Sequence, residues 1–253
     1  MSQTVETTGA VRLAELIRGA ERAVVLTGAG VSVPSGIPDF RTPGKGIWEK
    51  VNPMEVAHID AFRTNPDRFW QFYSDRFASL VDKRPNPAHE AIAELERRGH
   101  VRGVITQNVD RLHRMAGSER VIEVHGSIEN CVCLECGGRV GLERVVEIIS
   151  AHPGAPECAA CIQPLKPDVV LFGEMLPVEA LSEAHALAAE ADLMLCVGSS
   201  LEVFPVASLP GVTLEAGGRV AIVTAGPTAY DAEAELKLSG DVAEELQAVI
   251  TAL

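Results

Sequence analysis

The strongest constraint on this chain is a set of short, largely apolar runs at residues 23–27, 101–106, 121–124, 193–197 and 220–224, separated by helical patterns or by longer inserts. Runs this short and without polar alternation suit strands buried on both faces, and strands that alternate with helices imply a parallel α/β sheet. Residues 11–18 have the spacing of an amphipathic helix that leads into the first run. At 253 residues and 47% hydrophobic content, the chain suffices for one large domain carrying a smaller insert.

Two stretches break the alternation. Residues 42–87 are aromatic and helical in pattern, and residues 127–164 hold five of the six cysteines. Both stretches read as excursions from a discontinuous sheet domain made of residues 1–41, 88–126 and 165–253. Residues 231–253 read as a last short strand and a surface helix.

A net charge of −13 and a pI near 5.0 oppose a broad phosphate-binding surface, so nucleic acid is not an expected partner. No basic region precedes an apolar stretch at the N-terminus, and no run reaches the roughly 18 apolar residues of a membrane span. A cytoplasmic protein, acting as a monomer away from membranes, is expected. In a reducing compartment the cysteines are then metal ligands or buried thiols rather than disulfides.

Cys133-Leu-Glu-Cys136 and Cys158-Ala-Ala-Cys161, with 21 residues between them, have the paired spacing of a four-thiolate zinc site. Four thiolates complete a tetrahedral shell, so the role is structural. Cys131 competes weakly as a ligand, and Cys196, inside an apolar run, reads as a buried thiol.

Chemistry-bearing residues follow the ends of the apolar runs, where ligands bind in open α/β sheets. Thr27-Gly28-Ala29-Gly30-Val31-Ser32 is a glycine turn that lets backbone approach a pyrophosphate. It lacks the third glycine, and no acid closes a second strand about 20 residues on, as a dehydrogenase fingerprint requires. The polar, proline-stiffened loop Pro34-Ser-Gly-Ile-Pro-Asp39-Phe40-Arg41 suits a ligand clamp. Thr106-Gln107-Asn108-Val109-Asp110 offers groups for ribose hydroxyls or an amide, and Glu123-Val-His125-Gly126 sets a histidine at another strand end.

These segments, taken in order, resemble the sirtuin family, from about residue 20 to 242. The resemblance implies a Rossmann-like domain that binds NAD, and a small domain of helical and zinc modules, with acyl-lysine entering between them. It implies that the acyl oxygen attacks the nicotinamide ribose carbon, and that a histidine then deprotonates a ribose hydroxyl. The products are free lysine, nicotinamide and O-acyl-ADP-ribose.

Carried over by position, His125 is the base, and Asn108 and Asp110 serve the ribose and nicotinamide amide with Gln107 beside them. Gly28, Ala29, Gly30, Ser32, Asp39, Phe40 and Arg41 line the nicotinamide and phosphate side. Gly198, Ser199 and Ser200 receive phosphates and ribose. Thr224 stands where the family usually has asparagine near the adenine-side ribose, and Val242 falls where it contacts adenine. Phe172, Gly173, Glu174 and Val203 lie in the two segments that flank the substrate peptide as added strands.

Tyr73 and Arg76, three apart on one helix face, sit in the register of the branch that removes succinyl and malonyl groups, where a guanidinium pairs with the acyl carboxylate. Desuccinylation is the favoured expectation; plain deacetylation, or mono-ADP-ribosyl transfer, is the alternative within the family. Outside it stand a dehydrogenase, which would not release nicotinamide, and a zinc-ribbon binding module, which the low pI opposes.

Overall fold

The computed structural model describes residues 8–39, 52–152 and 154–253. Helix α1 (Gly9–Arg18) leads to strand β1 (Ala23–Thr27) and a 3-10 turn over Ala29–Ser35. Helices α2 (Pro53–Val56), α3 (Ile59–Thr64), α4 (Pro66–Val81) and α5 (Pro87–Arg97) follow, then β2 (Val101–Thr106), α6 (Leu112–Met115) and β3 (Val121–Glu123). Next come β4 (Gly126–Cys133), β5 (Arg139–Gly141), α7 (Leu142–Ala151) and β6 (Leu165–Val169). The chain ends on α8 (Val178–Glu190), β7 (Leu193–Val197), α9 (Leu209–Glu215), β8 (Arg219–Val223), β9 (Leu236–Leu238) and α10 (Val242–Ala252).

Six strands form one parallel sheet in the order β3-β2-β1-β7-β8-β9. The central strands β1 and β7 are buried along their whole length, which is what their unbroken apolar sequence requires. One face packs on α1, α5 and α10, the other on α8 and α9. In α1, Thr8 caps the first turn through its hydroxyl, and Ala10, Leu13, Ala14 and Ile17 fall on one buried stripe. Burying Leu13 and Ile17 completely contributes roughly 1.5–3 kcal/mol each. α10 covers the sheet with Val242, Ala243, Leu246 and Val249, so the C-terminal helix belongs to the core rather than only to the surface.

β5, β4 and β6 form a separate antiparallel sheet. β6 was expected to begin the last part of the sheet domain; instead it hydrogen-bonds to β4, so residues 165–169 belong with the cysteine-rich excursion. The two excursions share one core: Phe62, Phe69, Trp70 and Phe77 of the helical stretch pack with Ile128, Leu142, Val145 and Leu165 of the other. Trp70, fully buried, donates its indole N–H to the Leu165 carbonyl at 2.8 Å and ties the two together.

Candidate active site and metal centre

The parallel strands end almost level, with Thr27 paired to both Thr106 and Val197, and Thr106 to Glu123. The loops after β1, β2, β3 and β7 therefore emerge side by side. The order reverses between β1 and β7, and such a switch point opens a crevice at the C-terminal ends of the strands. Here the β1 and β7 loops touch through backbone. The Gly30 amide donates to the Gly198 carbonyl at 2.8 Å, and a Cβ on Gly30 would lie 2.8 Å from the Gly198 Cα. Gly198 has φ +61, and a side chain there would strike the backbone of Gly30 and Val31. Only glycine fits this contact.

A continuous polar network spans these loops. Ser32 donates to Asp110 at 2.6 Å, and Asn108 donates through Nδ2 to Ser32 and to the Gly28 carbonyl, both at 3.1 Å. The other Asp110 oxygen accepts the amide of Leu112, the first residue of α6, at 3.0 Å. Gln107 donates to the Ser199 hydroxyl at 2.9 Å, and Ser200 donates to Glu202. Asn108 thus spends its amide N–H groups on Ser32 and the Gly28 carbonyl, while Asp110 orients Ser32 and the Leu112 amide.

His125 follows β3 and is half-buried, with Nδ1 3.0 Å from the Gln107 carbonyl oxygen. A carbonyl only accepts, so Nδ1 carries the proton and Nε2 of the neutral ring holds a lone pair. Burial lowers the pKa of His125, with the bond to Gln107 opposing it, so the ring is neutral near pH 7. This is the tautomer and charge state of a general base. The next residue, Gly126, has φ +77, and a Cβ there would overlap the Asp168 carbonyl oxygen of β6, so glycine lets the small sheet start directly after the histidine.

Beneath the loops lies a layer that sequence reasoning missed: His89, His113, Thr27, Thr106 and Asn86, all buried. Thr27 donates to Thr106 at 2.8 Å, so His113 Nε2, 2.9 Å from the Thr27 oxygen, is the donor to it. His113 Nδ1 is then the bare nitrogen, and it has no partner among the described residues. Burial and the adjacent His89 hold the His113 pKa down at about 3. Burial holds that of His89 at about 4 against the pull of Asp110. Asn86 and His89 form a capping box on α5, and Asn86 also donates to the Val31 carbonyl at 2.8 Å. The pattern Asn-Pro-x-His was the available signal, as an N-cap three residues before a polar side chain.

The remaining expected residues are distributed as follows. Asp39 is half-buried at the end of the glycine loop segment; Phe40 and Arg41 lie outside the described residues. Thr224 follows β8 and its amide bonds the Leu238 carbonyl, whereas the Val242 side chain packs into the core. Ala29 opens the 3-10 turn. Phe172 is exposed, Val203 is half-buried, and Glu174 turns inward onto Lys166 at 2.9 Å. Tyr73 lies between Phe69 and Phe77, at ring separations of 4.6 and 5.2 Å, and burial pushes its hydroxyl up to about 12. Arg76 is exposed, stacked 3.8 Å over Phe72 and bonded to the Phe72 carbonyl.

Cys133, Cys136, Cys158 and Cys161 bring their sulfurs within 4.8 Å of one another, with Cys133 and Cys161 3.4 Å apart and Cys136 and Cys158 3.6 Å apart. Tetrahedral zinc with Zn–S bonds of about 2.3 Å requires sulfur separations of about 3.8 Å, so the four fit one ion with no open position. Cys131 is outside this set. It is buried in the small-domain core, and its thiol is pushed up to about 12 by burial. Cys196 is a buried thiol within β7.

Among the described residues no helix is long and apolar enough to cross a membrane. The Sir2 family model matches residues 28–205. NAD-dependent protein deacetylase 1 of Pyrobaculum aerophilum is 44% identical over 95% of this chain and 93% of its own length. NAD-dependent protein deacylase 2 of Archaeoglobus fulgidus is 45% identical over 94% of both chains. A solved structure of Sir2 with a p53 peptide and NAD+ superposes with a TM-score of 0.88 at 40% identity, covering 95% of this chain and 96% of that one. Sir2Tm bound to a propionylated peptide gives 0.87 at 39% identity, with the same coverage. With the level strand ends, the His125 tautomer and the four-thiolate cluster in place, the chain belongs to the Sir2 family, the sirtuins.

Proposed function

We propose that this protein removes acyl groups from lysine side chains of proteins at the expense of NAD, releasing nicotinamide and O-acyl-ADP-ribose, with His125 as the general base. The observation that carries the reading is the bond from His125 Nδ1 to the Gln107 carbonyl. It leaves a lone pair on Nε2 beside the loop that holds Gln107, Asn108 and Asp110. NAD, when bound, supplies the electrophilic ribose carbon. Gly28, Ala29, Gly30, Gly198, Ser199 and Ser200 would take its phosphates and ribose, since the close glycine contact brings the β1 and β7 loops together at the switch point. Ser32, Asn108 and Asp110 would orient the nicotinamide side, and Asp39, Phe40 and Arg41 would close it. Thr224, with one hydroxyl, would bond the far ribose.

The target peptide would add as a strand beside residues 172–174 and 201–204. Zinc in the four thiolates cross-links the small domain and takes no part in the chemistry. We divide the chain accordingly into a sheet domain and a small domain of helical and zinc modules, with 165–169 in the latter.

The test is steady-state turnover of NAD with an acyl-lysine peptide, read as deacylated peptide formed together with nicotinamide released, in the wild type and in His125→Ala. Peptide-dependent turnover that falls at least about 100-fold in the variant supports the reading, because a positioned base contributes about 10²–10⁴-fold; equal rates refute it.

For the acyl group, we favour carboxylated acyls. Tyr73 and Arg76 lie one turn apart on α4, and the Arg76 charge acts on the Tyr73 hydroxyl. Arg76 would have to leave the Phe72 carbonyl to meet an acyl carboxylate, at little cost for an exposed side chain. Succinyl turnover above acetyl turnover, lost selectively in Arg76→Ala, supports this; acetyl preference with an indifferent variant makes the protein a plain deacetylase. Transfer of ADP-ribose to protein would appear as labelled protein without lysine deacylation.

A further inference from the structure

We propose that the ion pair between buried Lys166 and half-buried Glu174 is a positioning device for the acyl-lysine cleft, fixing residues 169–174 so that the Val170 amide holds the main chain of His125. The proposal rests on the reading of His125 as the base. Lys166 is 4% exposed, yet it stands outside the polar network of the sheet loops. Its ammonium donates to the Val169 carbonyl at 2.7 Å and the Pro167 carbonyl at 3.2 Å, and it meets Glu174 Oε2 at 2.9 Å. An ammonium has three donors, and these acceptors use all of them.

The same Glu174 oxygen accepts the Leu171 amide at 2.9 Å, so the pair grips the chain from both ends of a short turn. Between those grips the backbone points outward to functional neighbours. The Val170 amide donates to the His125 carbonyl at 2.8 Å. The Phe172 amide donates to Ala57, and the Phe172 carbonyl accepts from Ile59, both at 2.9 Å, which joins the turn to the helical module. One ion pair thus underlies the contacts of Val170 with the backbone of His125 and of Phe172 with the module opposite. Apolar residues of similar volume would serve stability as well as a buried ion pair does; what the charges add here is a unique path for this backbone.

The test is initial-rate kinetics of nicotinamide release, varying acyl-lysine peptide and NAD separately, in Lys166→Met, Glu174→Gln and the double variant. Amide hydrogen exchange at Val170 is measured in the same proteins. Glu174→Gln keeps an oxygen able to accept from Lys166 and Leu171 but removes the counter-charge, and should lower protection of the Val170 amide less than Lys166→Met does. Lys166→Met should lower kcat/KM for the peptide about 100-fold, the scale of a misplacement of about 1 Å, while the KM for NAD stays within about twofold. Protection of the Val170 amide should fall about tenfold or more, with the amides of β1 and β7 unchanged.

The double variant leaves no unpaired buried charge, so it folds even where Lys166→Met does not, and it should repeat these effects. Unchanged peptide kinetics in the double variant, or a loss shared equally by the KM for NAD and by exchange in β1, overturns the proposal. A wild type that releases no nicotinamide with any acyl peptide refutes the deacylase reading instead. Exchange at Val170 then still decides whether the pair pins the segment: unchanged protection overturns it.

Discussion

Acid should unfold this protein through the two histidines buried under the active-site loops. In the fold His113 titrates at about 3 and His89 at about 4, whereas an unfolded chain returns both to about 6.5. Below pH 6.5 the unfolded state binds protons that the native state refuses, so stability falls as pH falls. The slope is about 1.4 kcal/mol per pH unit for each histidine. The stabilisation is therefore fully present above pH 6.5 and is lost toward the folded pKa values. By pH 4.5 the loss is about 3 kcal/mol for His113 and about twice that for the pair, a large share of the 5–15 kcal/mol of a typical domain.

The physical cause for His113 is specific: its bare Nδ1 has no acceptor to receive the N–H that protonation would create. The assay is urea unfolding at a series of pH values between 7 and 4.5, for the wild type and for His113→Gln, whose amide can still donate to Thr27. The variant should lose about 1.4 kcal/mol per pH unit of the wild-type slope. Release of zinc from protonating thiolates is common to both proteins and cancels in the difference. Parallel slopes would refute the assignment of His113 as a neutral buried histidine.

Three other outcomes follow from the geometry. Trp70→Phe removes the donor to the buried Leu165 carbonyl between the two excursions, and should cost about 1–3 kcal/mol in denaturant unfolding, with near-normal NAD binding. Ile162, 70% exposed at the second cysteine turn, has φ +58, so Ile162→Gly should raise the thermal midpoint by relieving about 1 kcal/mol of left-handed strain. Chelation of zinc should abolish deacylation and expose Trp70 to quencher while the amides of the parallel sheet stay protected, because the four thiolates cross-link only the small domain.

Much of the architecture could be read from residue pattern. The apolar runs at 23–27, 101–106 and 193–197 coincide with β1, β2 and β7, because strands buried on both faces have no other sequence to use. The cysteine pairs converge as their spacing implied. The boundary at 164 could not be placed: residues 165–169 read Leu-Lys-Pro-Asp-Val, a run with no strand pattern of its own, and only pairing with β4 assigns them. Nor could the two excursions be seen to share a core, since Trp70 and Leu165 are 95 positions apart.

Sequence by itself determined that buried parallel strands would alternate with helices and where the glycine turns and thiolate pairs would fall, because hydrophobic period, glycine turns and thiolate spacing are local properties. Tertiary structure decided their states. The Gln107 carbonyl selects the proton position on His125, Thr27 selects it on His113, and the turn at 169–174 selects Glu174 as the partner of a buried Lys166. Tautomer, ionisation and buried pairing depend on what lies within hydrogen-bonding distance after the chain has closed on itself, and those neighbours come from distant parts of the sequence.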